Sequence, residues 1–270
     1  MRLLIRHRTQ FRYATSSQYL AQLVRMTPRD GPGQHVLEWR VCDERGRDLP
    51  EFQDGFGNVT HLHTLFEPHR EVAVDAQGVV ETRDTAGVLG TADEALLPAF
   101  FTRVTARTAP EPALAALAAE AARGADALEQ LHRVLGLVHR RVAYVPGSTH
   151  VDTTAEQALL GGAGVCQDHA HIFVAAARLL GHPARYVSGY LYVGGDPDQS
   201  LASHAWAEAF VHDLGWVGFD ASQGLCPTQC YVRTSVGLDY ADAAPVRGIR
   251  RGGAGQSMQV ALRLTEVSAQ

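Results

Sequence analysis

The chain has 270 residues, 46% of them apolar and 20% charged, with a formal net charge of −5 and a pI near 6.2. This is the balance of a soluble globular protein of one large domain or two ordinary ones. No apolar run reaches the ~18 residues of a membrane span, and the negative charge argues against a surface built to neutralise nucleic-acid phosphates.

Met1 to His7 turns polar at once and has no apolar stretch, so it does not read as a secretory signal. The cysteines Cys42, Cys166, Cys226 and Cys230 are too few for a disulfide scaffold. The expectation is a reduced, cytoplasmic setting, with neither nucleic acid nor membrane as a partner.

The first eighty-odd residues read as β structure. Leu3, Ile5, His7, Thr9, Phe11 and Tyr13 share one parity, with mostly polar residues between them. LEWRV (37–41) alternates in the same way, DGFGN (54–58) is a turn by composition, and NVTHLHTLF supplies another strand. REVAVDAQGVVETR (70–83) predicts two short strands around Gln77-Gly78. Short strands at this spacing predict a β-sandwich-like domain over 1–88, with the boundary in the Gly87–Asp93 neighbourhood.

Helical signals follow. EPALAALAAEAARG (111–124) is alanine-rich, and Leu128, Leu131, Leu135 and Val138 recur at helical spacing behind an Asp126/Glu129 capping box. GGAGVCQDHAHIFVAAARLLG (161–181) predicts a helix opening at Cys166 and stopped by Gly181 and Pro183. ARYVSGYLYV (184–193), the segment 203–220 and MQVALRLTEV (258–267) read as strands. The whole is an α+β chain, with a second unit over 89–270.

Cys166 stands out because unpaired N–H groups and the helix dipole at a first turn favour a thiolate and can hold an oxyanion. A lone cysteine is more often a small buried hydrophobe, so the base it would need carries the weight. His204 and Asp220 each lie eight residues from His212. A hairpin centred there sets them directly opposite on one sheet face, Cα atoms about 5 Å apart, with Trp206 and Glu208 sharing that face. A one-residue slip would separate them.

Cys on a helix, then His and Asp on adjacent strands, is the layout of papain-like thiol enzymes. GVCQDHAHIFVAAARLLGHPARYVSGYL, SHAWAEAFV and GWVGFD together resemble the bacterial transglutaminase-like superfamily. HRTQFRY, MTPRD, DGFGN and PHREVAV resemble the β-rich region preceding that core in one bacterial branch, and LDYADAAPVRGIRRGG (238–253) resembles its C-terminal signature. The resemblance implies a papain-like core, Cys166 as nucleophile, His204 as base and then acid, and Asp220 orienting His204. Two departures stand out: Ala221-Ser222-Gln223 replaces the usual Pro-Thr-Asn after the aspartate, and Leu238 replaces the Arg before Asp-Tyr.

Other features take humbler roles. His169 and His171, about 200° apart on a helix, cannot share a metal, and Asp168 suits a capping role. His61 and His63 share a strand face without a third ligand. Cys226 and Cys230 lack the partner pair of a zinc site. Tyr144, ahead of Pro146-Gly147, is a conceivable second oxyanion donor. The expectation is therefore a cofactor-free, metal-free cysteine enzyme. It cleaves amides of a peptide or protein through a thioester, as an amidase or peptidase. The alternatives are a transglutaminase passing the acyl group to an amine, and a non-catalytic peptide-binding module.

Overall fold

The computed structural model describes residues 1–91, 95–123, 126–194 and 203–267. In chain order it contains β1 (Arg2–Val24), β2 (Gln34–Asp43), β3 (Glu51–Gln53), β4 (Val59–Leu65), β5 (His69–Thr82) and β6 (Val88–Gly90). Next come α1 (Pro112–Ala121), α2 (Ala127–Arg141), β7 (Ala143–Tyr144), α3 (Ala155–Gly161), β8 (Ala163–Gly164) and α4 (Cys166–Leu179). The last third adds β9 (Ala184–Leu191), β10 (Ser203–Val211), β11 (Gly215–Phe219), β12 (Tyr231–Gly237), α5 (Tyr240–Ala243), β13 (Val246–Gly252) and β14 (Gln256–Glu266). Helices and curled antiparallel sheets make this a mixed α and β protein.

β1 is the spine of the N-terminal sheet. Its first half buries the odd residues Leu3 to Tyr13, whereas its second half buries the even residues Leu20, Gln22 and Val24. The parity changes where the register slips, between Arg12 and Ser17 against β5 and between Ser17 and Tyr19 against β13. An irregularity of this kind bends a strand and exchanges its faces. The first half lies between β5 and β14, and the second between β4 and β13. β2 and β3 extend the far side. The two halves fold onto each other: Val24 and Met26 pack with Val41, Val74 and Ala76.

β5 runs unbroken through Gln77-Gly78, where the sequence predicted two strands. Gly78 is there to let Trp39 in, since a Cβ at 78 would stand 2.1 Å from the Glu38 carbonyl oxygen and 2.6 Å from the Trp39 ring. The predicted final strand is β14. It pairs with β1, so both ends of the chain share one sheet.

The second sheet has the order β12-β9-β10-β11-β6. α4 lies against it and is buried almost all round, with Ile172, Phe173 and Ala176 meeting Ala207, Ala209 and Phe219. Phe173 stacks on Phe219 at 4.9 Å. Arg178, at the far end of α4, ties four segments together by donating to the carbonyls of Phe101, Ala184 and Leu238 and to the Thr108 hydroxyl. α4 is therefore a fixed post, and its first residue is held in place. Among the described residues no helix is long and apolar enough to cross a membrane.

Candidate active site

Cys166 is the first residue of α4, half-buried, with Val165 at the N-cap in extended conformation. Val165 has no side-chain acceptor, so Asp168 supplies the cap. Its Oδ2 accepts from the Val165 N–H at 2.8 Å and from the Thr149 hydroxyl at 2.6 Å. This is the acidic arm of a capping box, as expected of Asp168. Gly164 is required beside it, because a Cβ there would come within 2.7 Å of the Asp168 Cβ. The N–H groups of Asp168 and His169 donate to the Val165 carbonyl, and the Cys166 and Gln167 amides, the first of the helix, have no carbonyl within the helix to meet.

β10 and β11 form the predicted hairpin, but its centre is Asp213, with Val211 opposite Gly215. Gly215 has φ of 76°, closing a three-residue loop that needs a left-handed position at its end. His204 and Asp220 are therefore not directly opposite. On this register Asp220, just past the end of β11, falls across from Trp206, diagonal to His204. The offset is two residues, so parity survives and both side chains share a face. His204 Nε2 meets Asp220 Oδ2 at 2.5 Å. The other ring nitrogen, Nδ1, is left for the Cys166 thiol, whose closeness also raises the imidazole.

Asp220 is 1% exposed and fully engaged. Its Oδ1 accepts from the N–H groups of Ser222 and Gln223 at 3.0 and 3.2 Å and from the Ser222 hydroxyl at 2.7 Å. Its Oδ2 accepts from the Tyr231 hydroxyl at 2.8 Å. Burial alone would raise this carboxyl, but the hydrogen bonds and charge of His204, with Ser222 and Tyr231, hold it below its ordinary value. Burial likewise works to lower His204, and the partnership with Asp220 and Cys166 overrides it, lifting the imidazole to about 10. Trp206 stacks on the imidazole at 6.3 Å, and Tyr231 sits edge-on to both rings.

Residues 115–221 match the Transglutaminase-like superfamily and residues 3–81 match the Bacterial transglutaminase-like N-terminal region, together well over half of the chain. The chain belongs to the bacterial transglutaminase-like superfamily. An uncharacterized protein of Mycobacterium leprae is 29% identical across 99% of this chain and 99% of its own length. One of Mycobacterium tuberculosis is also 29% identical, over 91% of this chain and 86% of its own. The crystal structure of a "putative cysteine protease" from Cytophaga hutchinsonii superposes with a TM-score of 0.77 at 22% identity, covering 100% of this chain and 92% of that one. Family and neighbour together support a cysteine-based enzyme.

The other histidines singled out from the sequence make structural contacts. His169 is buried between the carbonyls of Val165 and Val142. His171 accepts at Nε2 from the Tyr240 N–H and lies tilted against the Tyr186 ring, and burial lowers it to about 3. His61 and His63 are both buried and engage separate partners, Thr27 with the Leu49 carbonyl and Gln22 respectively. Cys226 and Cys230 are free thiols.

Tyr144 on β7 is held beside β8 by parallel pairing. Burial first, then the charges of Cys166 and Asp220, raises its phenol, so it stays a hydroxyl donor at the rim of the site. Sequence reasoning missed Tyr231 and Ser222. Ser222 carried a usable signal, since Asp-x-Ser is a turn in which the carboxylate collects N–H groups two and three residues on. One family departure, Ser222, thus directly supports Asp220.

Proposed function

We propose that the protein hydrolyses amide bonds of peptide or protein substrates, as an amidase or peptidase, with Cys166 as nucleophile, His204 as general base and acid, and Asp220 as the group that orients His204. The supporting observation is that one buried imidazole joins a fully engaged carboxylate to a thiol at a helix N-terminus.

The reading gives each atom a task. The Cys166 sulfur, paired with the His204 imidazolium, attacks the carbonyl carbon, and the electron pair moves to the oxygen. In this reading the Cys166 N–H and the Tyr144 hydroxyl stabilise that oxyanion. His204 Nδ1–H then protonates the leaving amine, the C–N bond breaks and a thioester forms. Next, His204 takes a proton from water, which attacks the thioester, and Cys166 leaves as thiolate. Asp220 keeps Nε2 protonated and fixes the ring without taking the proton itself. No metal or organic cofactor enters any step. Cys166 is partly exposed, and water, the acceptor that needs no binding slot of its own, resolves the thioester in this reading.

The test is to incubate the enzyme with glutamine-containing peptides and excess hydroxylamine, then to read acyl adducts and products by mass spectrometry. An acyl group on Cys166, with free acid as the main product when hydroxylamine is omitted, supports the reading. Dominant incorporation of an added biotinylated amine would make the protein a transglutaminase. Turnover by Cys166→Ala would remove the mechanism altogether.

A further inference from the structure

A cavity of about 710 Å³ opens where the N-terminal sheet meets the core, within the range of ligand pockets. Its floor crosses β5, β1 and β14. Cross-strand register puts His7, Thr9, Ala76, Val260 and Leu262 on one face. Arg6, Arg8, Asp75 and Arg263 alternate with them and leave from the opposite face. Arg6, Arg8, Asp75 and Arg263 also line the cavity, but the His7 face carries no charge: His7 bonds to the Tyr190 hydroxyl and to Thr9, and burial lowers it to about 4. Pro245, Val246, Tyr240 and Ser203 complete the lining.

The Ser203 and Tyr240 part of the lining lies next to the proposed active site. Ser203 precedes His204, and Tyr240 and Cys166 pack against the same cluster of Ala170, Tyr186, Ala205 and Ala243. Two further features of β14 bear on what fills the trough. Met258 and Val260 are 61% and 44% exposed, although their cross-strand partners Phe11 and Thr9 are buried. Along its outer side β14 pairs with no strand among the described residues, leaving a row of backbone donors and acceptors open.

We infer that this trough is the substrate groove, and that it takes an extended polypeptide with apolar side chains, which pairs along the open edge of β14 and leads an amide to Cys166. Backbone pairing would supply affinity, and alternate apolar side chains over Met258, Val260 and Val246 the selectivity. The inference rests on the proposed thiol mechanism and gives the N-terminal sheet a part in the same reaction.

The test uses nonapeptides carrying a chloroacetamide on a central diaminopropionate side chain, flanked either by Val and Leu or by Ser and Gly, with free chloroacetamide as control. Alkylation rates at Cys166 are read by mass spectrometry for the wild type, Val260→Arg and Met258→Glu, both at exposed positions that tolerate change. The Val/Leu reagent is expected to react about tenfold faster than the Ser/Gly one, with both variants erasing that ratio while free chloroacetamide labels Cys166 as before. Equal peptide rates, or a ratio that persists in both variants, would overturn the groove. So would a concentration-dependent dimer dissolved by Val260→Arg, since the edge would then belong to a second copy of the chain. If free chloroacetamide does not select Cys166 over Cys226, the thiol mechanism itself fails and takes the groove with it.

Discussion

His7 in the N-terminal sheet and His204 in the core sheet are buried to similar depth, 4% and 7% exposed, yet their imidazoles are driven in opposite directions. His7 has only neutral partners, Tyr190 and Thr9, so desolvation dominates and lowers it to about 4. His204 has a carboxylate on one nitrogen and a thiol on the other, and it rises to about 10 against the same desolvation. Burial makes a histidine a neutral structural part, and a fixed opposite charge makes it a proton carrier. The difference separates the histidine with a proposed chemical task from His7, His63 and His171, all of which burial lowers.

The comparison can be broken most completely at the thiol. Cys166→Ala is expected to abolish turnover and hydroxylamine-trapped acyl adducts, with the unfolding midpoint nearly unchanged because α4 is anchored elsewhere along its length. Asp220→Asn turns the surroundings of His204 towards those of His7. The expected loss in kcat is roughly 10³–10⁴, measured on the peptide that gives the strongest adduct. Tyr231→Phe removes one donor from Asp220 Oδ2 and leaves the carboxylate in place. A loss of about tenfold in kcat with little change in KM is expected, matching one charge-assisted hydrogen bond.

The smallest effect sharpens the contrast through stability. His204 has a folded pKa above its unfolded value, so its contribution is complete below about pH 6.5 and is lost as pH rises towards about 10. His7 is lowered, so its contribution is present above about pH 6.5 and is lost as pH falls towards about 4. Thermal unfolding of His204→Gln should flatten the alkaline slope alone, and His7→Gln the acid slope alone. Equal effects of both variants on one slope would contradict the assignment.

Much of the site was legible because its signals are local. A glycine turn before Cys166, and Gly181 with Pro183 after the helix, mark both ends of α4. The pairing of His204 with Asp220 was legible only as parity, because the turn itself was misjudged: Gly215 in the left-handed region moved the hairpin centre from His212 to Asp213. Parity tolerates a two-residue offset, so the pair formed diagonally. What could not be read depends on distant partners. Gly78 looked like a turn because nothing nearby shows that Trp39 will press against it. The bend in β1 has no compositional mark beyond Ala14-Thr15-Ser16. Tyr231 reaches Asp220 only once β12 has been laid beside β9. The pairing of β13 and β14 with β1, which builds the proposed groove, spans nearly the whole chain and leaves no periodic trace.

The account stands on a charged His204 facing Cys166, and the pH dependence of alkylation tests that most directly. Iodoacetamide labelling is followed at each cysteine between about pH 6 and pH 9, in the wild type and in Asp220→Asn. The account predicts that Cys166 labels fast and nearly independently of pH in the wild type, while Cys226, raised by burial, labels slowly and only at the alkaline end. It also predicts that Asp220→Asn makes Cys166 follow the steep profile of an ordinary thiol. A wild-type Cys166 that already follows that steep profile, unchanged by Asp220→Asn, would contradict the ion pair and the mechanism built on it.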